Sequence, residues 1–498
     1  MQNLKRAVFA GLVAGTLSEG AAATAGDGGF VEDSELQFLA RTYYFNRDYR
    51  DSPNNAGRNR FKPRSERNGY REETTQGLRL QFASGYTPGS LGFGLDAHAM
   101  LGLQLDSGGG RTGTGNLPVG ADGHPDHRYG KVGGALRLRH GETRLKYGQT
   151  TTSAPVFAAS SNRTLAGMAY GLLLEDRSFD GLLLEGGRFT AASGPGESKV
   201  RGDISTVYGR LGAYPVRLDA VGFLGGQWQA TERLQLSLYA SRFDDIWQQA
   251  YFGASHRQPL GGERALRVDL DAYRTRDSGQ SRFGRIDTLA SSLALGYEQG
   301  PQRITLAYQR VHGEQPFDYM AFGDGRSSAS MVLANSVGYS DFNGPGERSW
   351  QLRYDLDLGA LGLPGLSLHA LHARGRAGAS ASSAAKSIYA GLYGRDGRHR
   401  ESDLGFAYRV KAGPSPASRC APRRPGTGAT RAISTATSTK PGWSSITPAR
   451  SGDARAAPRG GPDRPHARGS NWMNKGVESS TSSVVISTMP ATSFTGPS

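Results

Sequence analysis

The stretch Leu91-Gly92-Phe93-Gly94-Leu95-Asp96-Ala97-His98-Ala99-Met100-Leu101-Gly102-Leu103-Gln104-Leu105 decides the fold. Its odd positions are apolar without exception, and its even positions are mostly small or polar. A strand sends neighbouring side chains to opposite faces, so one face here suits hydrocarbon and the other suits water. At ~3.3 Å per residue, a tilted strand of this length crosses a bilayer.

The pattern recurs along the chain. Leu78, Leu80 and Phe82 alternate with Arg79 and Gln81; Leu136 and Leu138 with Arg137 and Arg139; Leu234, Leu236 and Leu238 with Gln235 and Ser237. Leu266, Val268 and Leu270 oppose Arg267, Asp269 and Asp271; Ile304, Leu306 and Tyr308 oppose Thr305 and Gln309. Trp350, Leu352 and Tyr354 oppose Gln351, Arg353 and Asp355, and Leu404, Phe406 and Tyr408 oppose Gly405 and Arg409. With less regular runs, about fifteen strands are readable, and a sixteenth is expected around Ile204–Tyr214. Tight connections (Thr87-Pro88-Gly89-Ser90, His140-Gly141-Glu142, Gly261-Gly262-Glu263, Gly359–Gly365) alternate with long ones (Asp48–Glu73, Asp106–Arg128, Gln149–Ser178, Val311–Arg348, Gly375–Arg398). Short turns at one end and long loops at the other mark an all-β, antiparallel transmembrane barrel. A soluble sandwich would turn its apolar faces inward and oppose its strands with fewer charges.

Composition agrees. Only 37% of the 498 residues are apolar, while glycine contributes 71 and cysteine one, Cys420. A polar lumen needs no dry core in proportion to length. One cysteine supplies neither a disulfide framework nor a thiolate metal site, and no metal or cofactor is expected. Residues 1–25 read as an export signal: Lys5 and Arg6, then apolar Ala7–Leu17, then Ala23-Thr24-Ala25 as the cleavage site, with Glu19 as a blemish. The barrel is expected over residues 26–411. The tail, 412–498, has no Leu or Tyr and carries +8 of the net +15. It reads as a disordered basic extension, out of its original frame, that leaves the first strand with an open edge. The high pI therefore reflects the tail, and no nucleic-acid motif supports a nucleic-acid partner.

Several segments resemble the OprD family of substrate-selective porins. They are Gly29-Phe30-Val31-Glu32-Asp33-Ser34, Leu145-Lys146-Tyr147-Gly148, Ser340-Asp341-Phe342-Asn343-Gly344-Pro345-Gly346-Glu347-Arg348-Ser349-Trp350, and Asp106-Ser107 with Gly113-Thr114-Gly115-Asn116-Leu117-Pro118. The likeness spans about residues 29–411. It implies an 18-stranded monomeric barrel in the outer membrane, narrowed by inward loops, with a basic ladder that passes carboxylates such as amino acids and aromatic acids. It also implies contact with outer-membrane lipid, lipopolysaccharide and the barrel assembly machinery. The family pattern ends in two further strands and an aromatic residue, which nothing near Ser498 resembles.

Alternation alone puts Arg41, Arg79, Lys131, Arg137, Arg139, Arg144, Lys146, Arg267, Arg353 and Arg409 on the water face. Arg137 and Arg139 sit two apart, opposite Arg144 and Lys146 across a tight turn, a spacing that can hand a carboxylate along by successive bidentate contacts. Each cation could equally pair with Glu142, Asp269, Asp355 or Asp357. The resemblance places its ladder chiefly at Arg41, Arg137, Arg139 and Arg409. The third outer loop is expected to fold inward, with Pro155, Phe157, Arg163 and Tyr170 narrowing the pore. Asp318, Tyr319 and Asp324 of the 311–348 loop are expected to form a negative counter-wall. Two other functions stay open: a general diffusion pore, and an outer-membrane hydrolase with its catalytic groups at the rim. His124-Pro125-Asp126-His127 has no further ligands in sequence, and neither a G-x-S-x-G elbow nor an H-E-x-x-H helix occurs.

Overall fold

The computed structural model describes residues 29–48, 70–209, 218–323, 330–378, 387–390, 392–393, 397–411, 430–438 and 480–488. The export signal expected at 1–25 lies outside them. Eighteen antiparallel strands form one closed sheet. In chain order they are β1 (Glu35–Asp48), β2 (Tyr70–Ala83), β3 (Leu91–Asp106), β4 (Arg128–His140), β5 (Thr143–Thr150), β6 (Met168–Phe179), β7 (Leu182–Ser193), β8 (Val221–Thr231) and β9 (Leu234–Phe243). There follow β10 (Trp247–Gly261), β11 (Arg264–Asp277), β12 (Asp287–Gln299), β13 (Gln302–His312), β14 (Arg348–Asp357), β15 (Leu366–Arg376), β16 (Arg398–Lys411), β17 (Thr430–Ser438) and β18 (Ser480–Thr488). Each pairs with its neighbours in sequence, and β18 returns to β1 with Tyr44 opposite Val484 and Thr42 opposite Ile486.

The alternation carries over directly. Leu91, Phe93, Leu95, Leu101 and Leu105 project from the outer surface, while Gly92, Gly94, His98 and Met100 point inward and are buried. Leu136, Leu238, Leu306 and Leu352 are likewise exposed on the outside. Abundant glycine has a packing use. The ideal Cβ of Gly225 would fall 2.4 Å from a ring carbon of Tyr239, the residue opposite it on β9. That ring lies flat along the wall and donates to Glu185 Oε1 at 2.7 Å. Gly102 accommodates Tyr129 in the same way.

Three expectations need correction. The Gln149–Ser178 loop is shorter, because β6 begins at Met168; a turn at Asp180-Gly181 then divides β6 from β7. The strand sought around Ile204–Tyr214 is only Ile204–Thr206, which pairs with Met320–Phe322 inside the barrel and adds nothing to the wall. The strand count is the eighteen that the family resemblance implies, of which fifteen or sixteen are readable in the sequence. Within the tail expected to be disordered, two nine-residue segments are strands that close the ring, so β1 has no open edge. Both are rich in β-branched residues (Ile433, Thr435, Thr437; Val484, Val485, Ile486), and each is offered a row of backbone partners that lipid cannot supply. The other residues of 412–498 lie outside the described set.

The lipid face makes a direct prediction. Replacing Leu306, 55% exposed at the middle of β13, by Arg is expected to cost about 2–4 kcal/mol. Urea titration of the barrel in lipid vesicles measures it; an unchanged midpoint would mean that Leu306 does not meet hydrocarbon.

Candidate functional site

Long connections at one end of the barrel turn into its interior. Residues 151–167 form a small hairpin, Ser153–Ala154 against Phe157–Ala158. The Phe157 ring stacks on Phe189 at 4.6 Å and meets Phe322 edge-on at 5.5 Å. Burying such a side chain contributes about 1.5–3 kcal/mol, enough to hold a hairpin against the wall. Val156, Tyr208, Phe317, Met320 and Tyr389 extend this internal cluster across β7 to β13.

Asp318 is the knot of the cluster. Its carboxyl accepts from Thr206 Oγ1 at 2.6 Å, from the amides of Tyr208 at 3.3 Å and Tyr319 at 2.8 Å, and from Tyr389 Oη at 3.1 Å. Three connections, 194–220, 313–347 and 377–397, thus meet on one side chain. Burial pushes the carboxyl up to about 7, while its four donors pull it the other way. Nearby, Asp341 accepts from Tyr319 Oη at 2.6 Å and Ser336 Oγ at 2.7 Å, and burial raises its pKa as well.

The basic residues of the opposite wall divide into two groups. Arg41 donates to the carbonyls of Ser161 at 2.6 Å and Arg163 at 2.7 Å. Lys131 donates to Ala166 O, Ser193 Oγ and Gly194 O at 3.0, 3.1 and 2.7 Å. These two cations clamp the inward loop. Arg79, also buried, stands beside Arg41, and its Nε has no partner among the described residues.

Nearer the short turns, Arg137 and Arg139 register with Lys146 and Arg144 on β5. Asp96 lies between Arg137 Nε at 2.8 Å and Lys146 Nζ at 3.8 Å; the first contact is an ion pair by distance without the alignment of a hydrogen bond. Arg137 and Arg139 each hold a guanidinium 4.7 Å from the Tyr86 ring. Arg139 and Arg144 have no acidic partner within salt-bridge distance among the described residues, and Glu175 stands in register with Arg144 on β6. Arg137 and Arg139 are ~7 Å apart along β4.

Across the lumen, a cavity of ≈ 570 Å³ is lined by Tyr251, Asp271, Arg267, Arg303 and Arg353, with Val332 and Ala334 of the 313–347 connection at its edge. Its cations are matched: Arg267 to Asp269 at 2.8 Å, and Arg353 to Asp355 at 2.6 Å with Arg303 at 3.4 Å from the same carboxylate.

The structure relocates several expected site residues. Tyr170 belongs to β6 and shares the outward face of Leu172 and Leu174, so it meets Tyr147 and Arg201 outside the pore. Phe157 and Asp318 are buried in the loop cluster and line no passage. Tyr319 does reach a carboxylate, Asp341, within that cluster. Arg163 bonds to Thr114 O at 3.2 Å and caps the Phe45 ring, bracing one loop on another. Arg409 sits at the short-turn rim, its amide bonded to Gly365 O at 2.7 Å. Asp324 lies outside the described residues. Sequence reasoning did not single out Tyr86, Asp96 or Asp341 as site residues. Asp96 was in view as a luminal position of the opening stretch, whereas nothing marks Tyr86 beyond a place beside a turn.

A closed barrel, greasy outside, with a charged passage narrowed by its own loops, defines an outer-membrane channel. The chain matches the outer membrane porin, OprD family, over residues 28–417 and belongs to that family. It is 41% identical to Porin D of Pseudomonas aeruginosa over 392 residues, which cover 78% of this chain and 84% of that one. Among solved structures, OccK9 (OpdG) of Pseudomonas aeruginosa superposes with TM-score 0.72 at 29% identity, covering 93% of this chain and 99% of that one. OpdK of the same organism, solved with vanillate, gives TM-score 0.70 at 27% identity, covering 93% and 100%. The protein is therefore a porin of the Gram-negative outer membrane, and its relatives are channels rather than enzymes.

Two predictions follow from the loop anchors. Arg41→Met leaves two half-buried carbonyls without a donor, a loss of at most about 1–3 kcal/mol for each; single-channel records are expected to become noisier, and an unchanged trace would remove Arg41 from the clamp. For Asp318, the native carboxyl holds its proton up to about 7 while an unfolded one releases it near the ordinary value of 3.8. The folded state binds more protons in that window, so the loop cluster is tightest at low pH and weakens as pH rises to about 7. Protection factors of amides 204–209 and 317–322, measured by hydrogen exchange, should fall over this range in the native protein and stay flat in Asp318→Asn.

Proposed function

We propose that this porin passes small carboxylate-bearing solutes selectively, along a track made by Arg137, Arg139, Arg144 and Lys146. The observation that carries the reading is the pairing of two basic residues on β4 with two on β5, on one luminal face, with Asp96 shared by only two of them. Fixed positive charge in a low-dielectric channel raises the local concentration of anions. Guanidinium forks bind a carboxylate in two points, and a neighbour ~7 Å on can take it over before the first contact becomes a trap. Tyr86, already stacked by two guanidinium groups, offers an apolar surface to an aromatic acid. OpdK was solved with vanillate, an aromatic carboxylate, which accords with this substrate class. Arg41, Arg79 and Lys131 lie further up the same wall and extend the positive field toward the loop end.

A general diffusion pore is the second reading. It is favoured by the matched charges of the far wall, where Asp269 and Asp355 neutralise Arg267 and Arg353. Planar-bilayer recordings separate the two. A selective track predicts that benzoate-class anions interrupt the single-channel current while the corresponding amides do not. Arg137→Ala with Arg139→Ala should then weaken the block by roughly tenfold, the loss of one charged hydrogen-bond pair. Equal effects of anion and amide would leave only diffusion.

A further inference from the structure

Beneath the inward loop, the wall of β1 and β2 buries two guanidinium groups side by side. Arg41 is opposite Gly77, so Arg79 is its diagonal neighbour, ~7–8 Å away between strands. Both are buried, and with Gly77, Thr164, Leu165 and Ala166 they line a cavity of ≈ 10 Å³, the size that admits one water-sized ligand. Arg41 spends Nη1 on the carbonyls of Ser161 and Arg163, while its Nε has no partner among the described residues. Arg79 makes no hydrogen bond, ion pair or ring contact with any described residue. At the edge of the same cavity, the amides of the buried residues Leu165 and Ala166 lack an acceptor among the described residues. Glu73 and Asp96, inward carboxylates of β2 and β3, are engaged elsewhere. Glu73 accepts from Gly113 N at 3.1 Å and from the Thr114 hydroxyl, and Asp96 faces Arg137 and Lys146.

A guanidinium does not give up its proton, so burial cannot neutralise it and a counter-charge has to come to it. The carbonyls that Arg41 holds are dipoles, which satisfy donors without cancelling charge. A water molecule in the cavity would do no more. Lys131 brings a third cation to the loop, 3.0 Å from Ala166 O, and the carboxylate whose charge acts on it is Glu197. The pair Arg41 and Arg79 has no such carboxylate within ion-pair distance among the described residues. We infer that Arg79 and the Arg41 Nε, with the amides of Leu165 and Ala166, bind one small inorganic anion of the halide class. Successive backbone amides make the concave donor set that small anions fill, and the guanidinium groups supply the opposing charge. Size sets the class: the cavity excludes a benzoate-sized solute, so the ion is distinct from the solutes that use the track on β4 and β5. Its effect is to hold the 161–167 turn of the inward loop against the wall and so to fix the bore.

The test uses the whole barrel. Crystals grown with sodium bromide in place of chloride are expected to show an anomalous peak within hydrogen-bond distance of the Arg79 guanidinium and the Leu165 and Ala166 amides; no peak there overturns the site. In detergent, hydrogen exchange of amides 161–167 is compared in sodium chloride and in sodium gluconate at equal ionic strength, gluconate being too large for the cavity. Protection is expected to be at least about tenfold higher in chloride, and the difference to vanish in Arg79→Gln. Equal protection in the two salts overturns the proposal. A chloride effect that survives in the variant does so too, by leaving an adventitious ion only. Benzoate that restores protection in gluconate as well as chloride does would hand the cavity to the transported solute, which also overturns it. Heat-modifiable migration shows that the variant barrel is closed. Should it fail to assemble, the bromide peak and the comparison of salts on the native protein decide the matter.

Discussion

Every other feature depends on the closure of the backbone hydrogen-bond ring. In hydrocarbon an unpaired amide or carbonyl has no water to turn to, so a sheet can cross only if its last strand meets its first. Here that meeting is β18 with β1, through nine register pairs from Ala40–Thr488 to Asp48–Ser480. Local shortfalls in pairing are repaired from within. Where β5 stops at Thr150 and leaves part of β4 without a neighbour, the Gly130 amide finds the Ser198 hydroxyl at 3.3 Å.

The lumen is two environments rather than one. Toward the long-loop end of β7 to β13 the inward loops bury aromatic rings and make a dry lining, whereas β2 to β5, and the short-turn half of β11 to β14, keep charged groups on the inner surface. Cations serve opposite purposes within a single wall. Arg41 and Lys131 spend their hydrogen bonds on loop carbonyls and are structural, while Arg139 and Arg144 have no acidic partner within salt-bridge distance among the described residues. Residue type alone does not separate these roles; what separates them is whether a loop reaches that height in the barrel.

That division also explains what the sequence discloses. Leu91–Leu105 is legible because its inner face meets water and its outer face meets lipid, so the alternation is clean. β6 is not, because Leu173 points inward onto Phe157 and its neighbours; Leu172-Leu173-Leu174 then reads as an uninterrupted apolar run, and the strand passes for part of a loop. Misplacing that boundary put Tyr170 on the wrong side of the wall. The luminal parity of Arg137, Arg139, Arg144 and Lys146 follows from period two and was readable. Their partners Tyr86 and Asp96 depend on how a turn folds back and on strand register, which no local pattern encodes. β17 and β18 escaped notice because nine short polar-to-aliphatic residues resemble disordered tail until a sheet edge is there to receive them.

The meeting of three connections on Asp318 has a consequence for how such a channel diversifies. With Thr206, Tyr208 and Tyr389 all tied to one carboxyl, an insertion in any of these segments is transmitted to the other two. Bore size is then a shared property of the ensemble rather than a sum of separate parts. Variants with altered permeability should arise through correlated changes in all three segments, or through a single change at the carboxyl that frees them from one another.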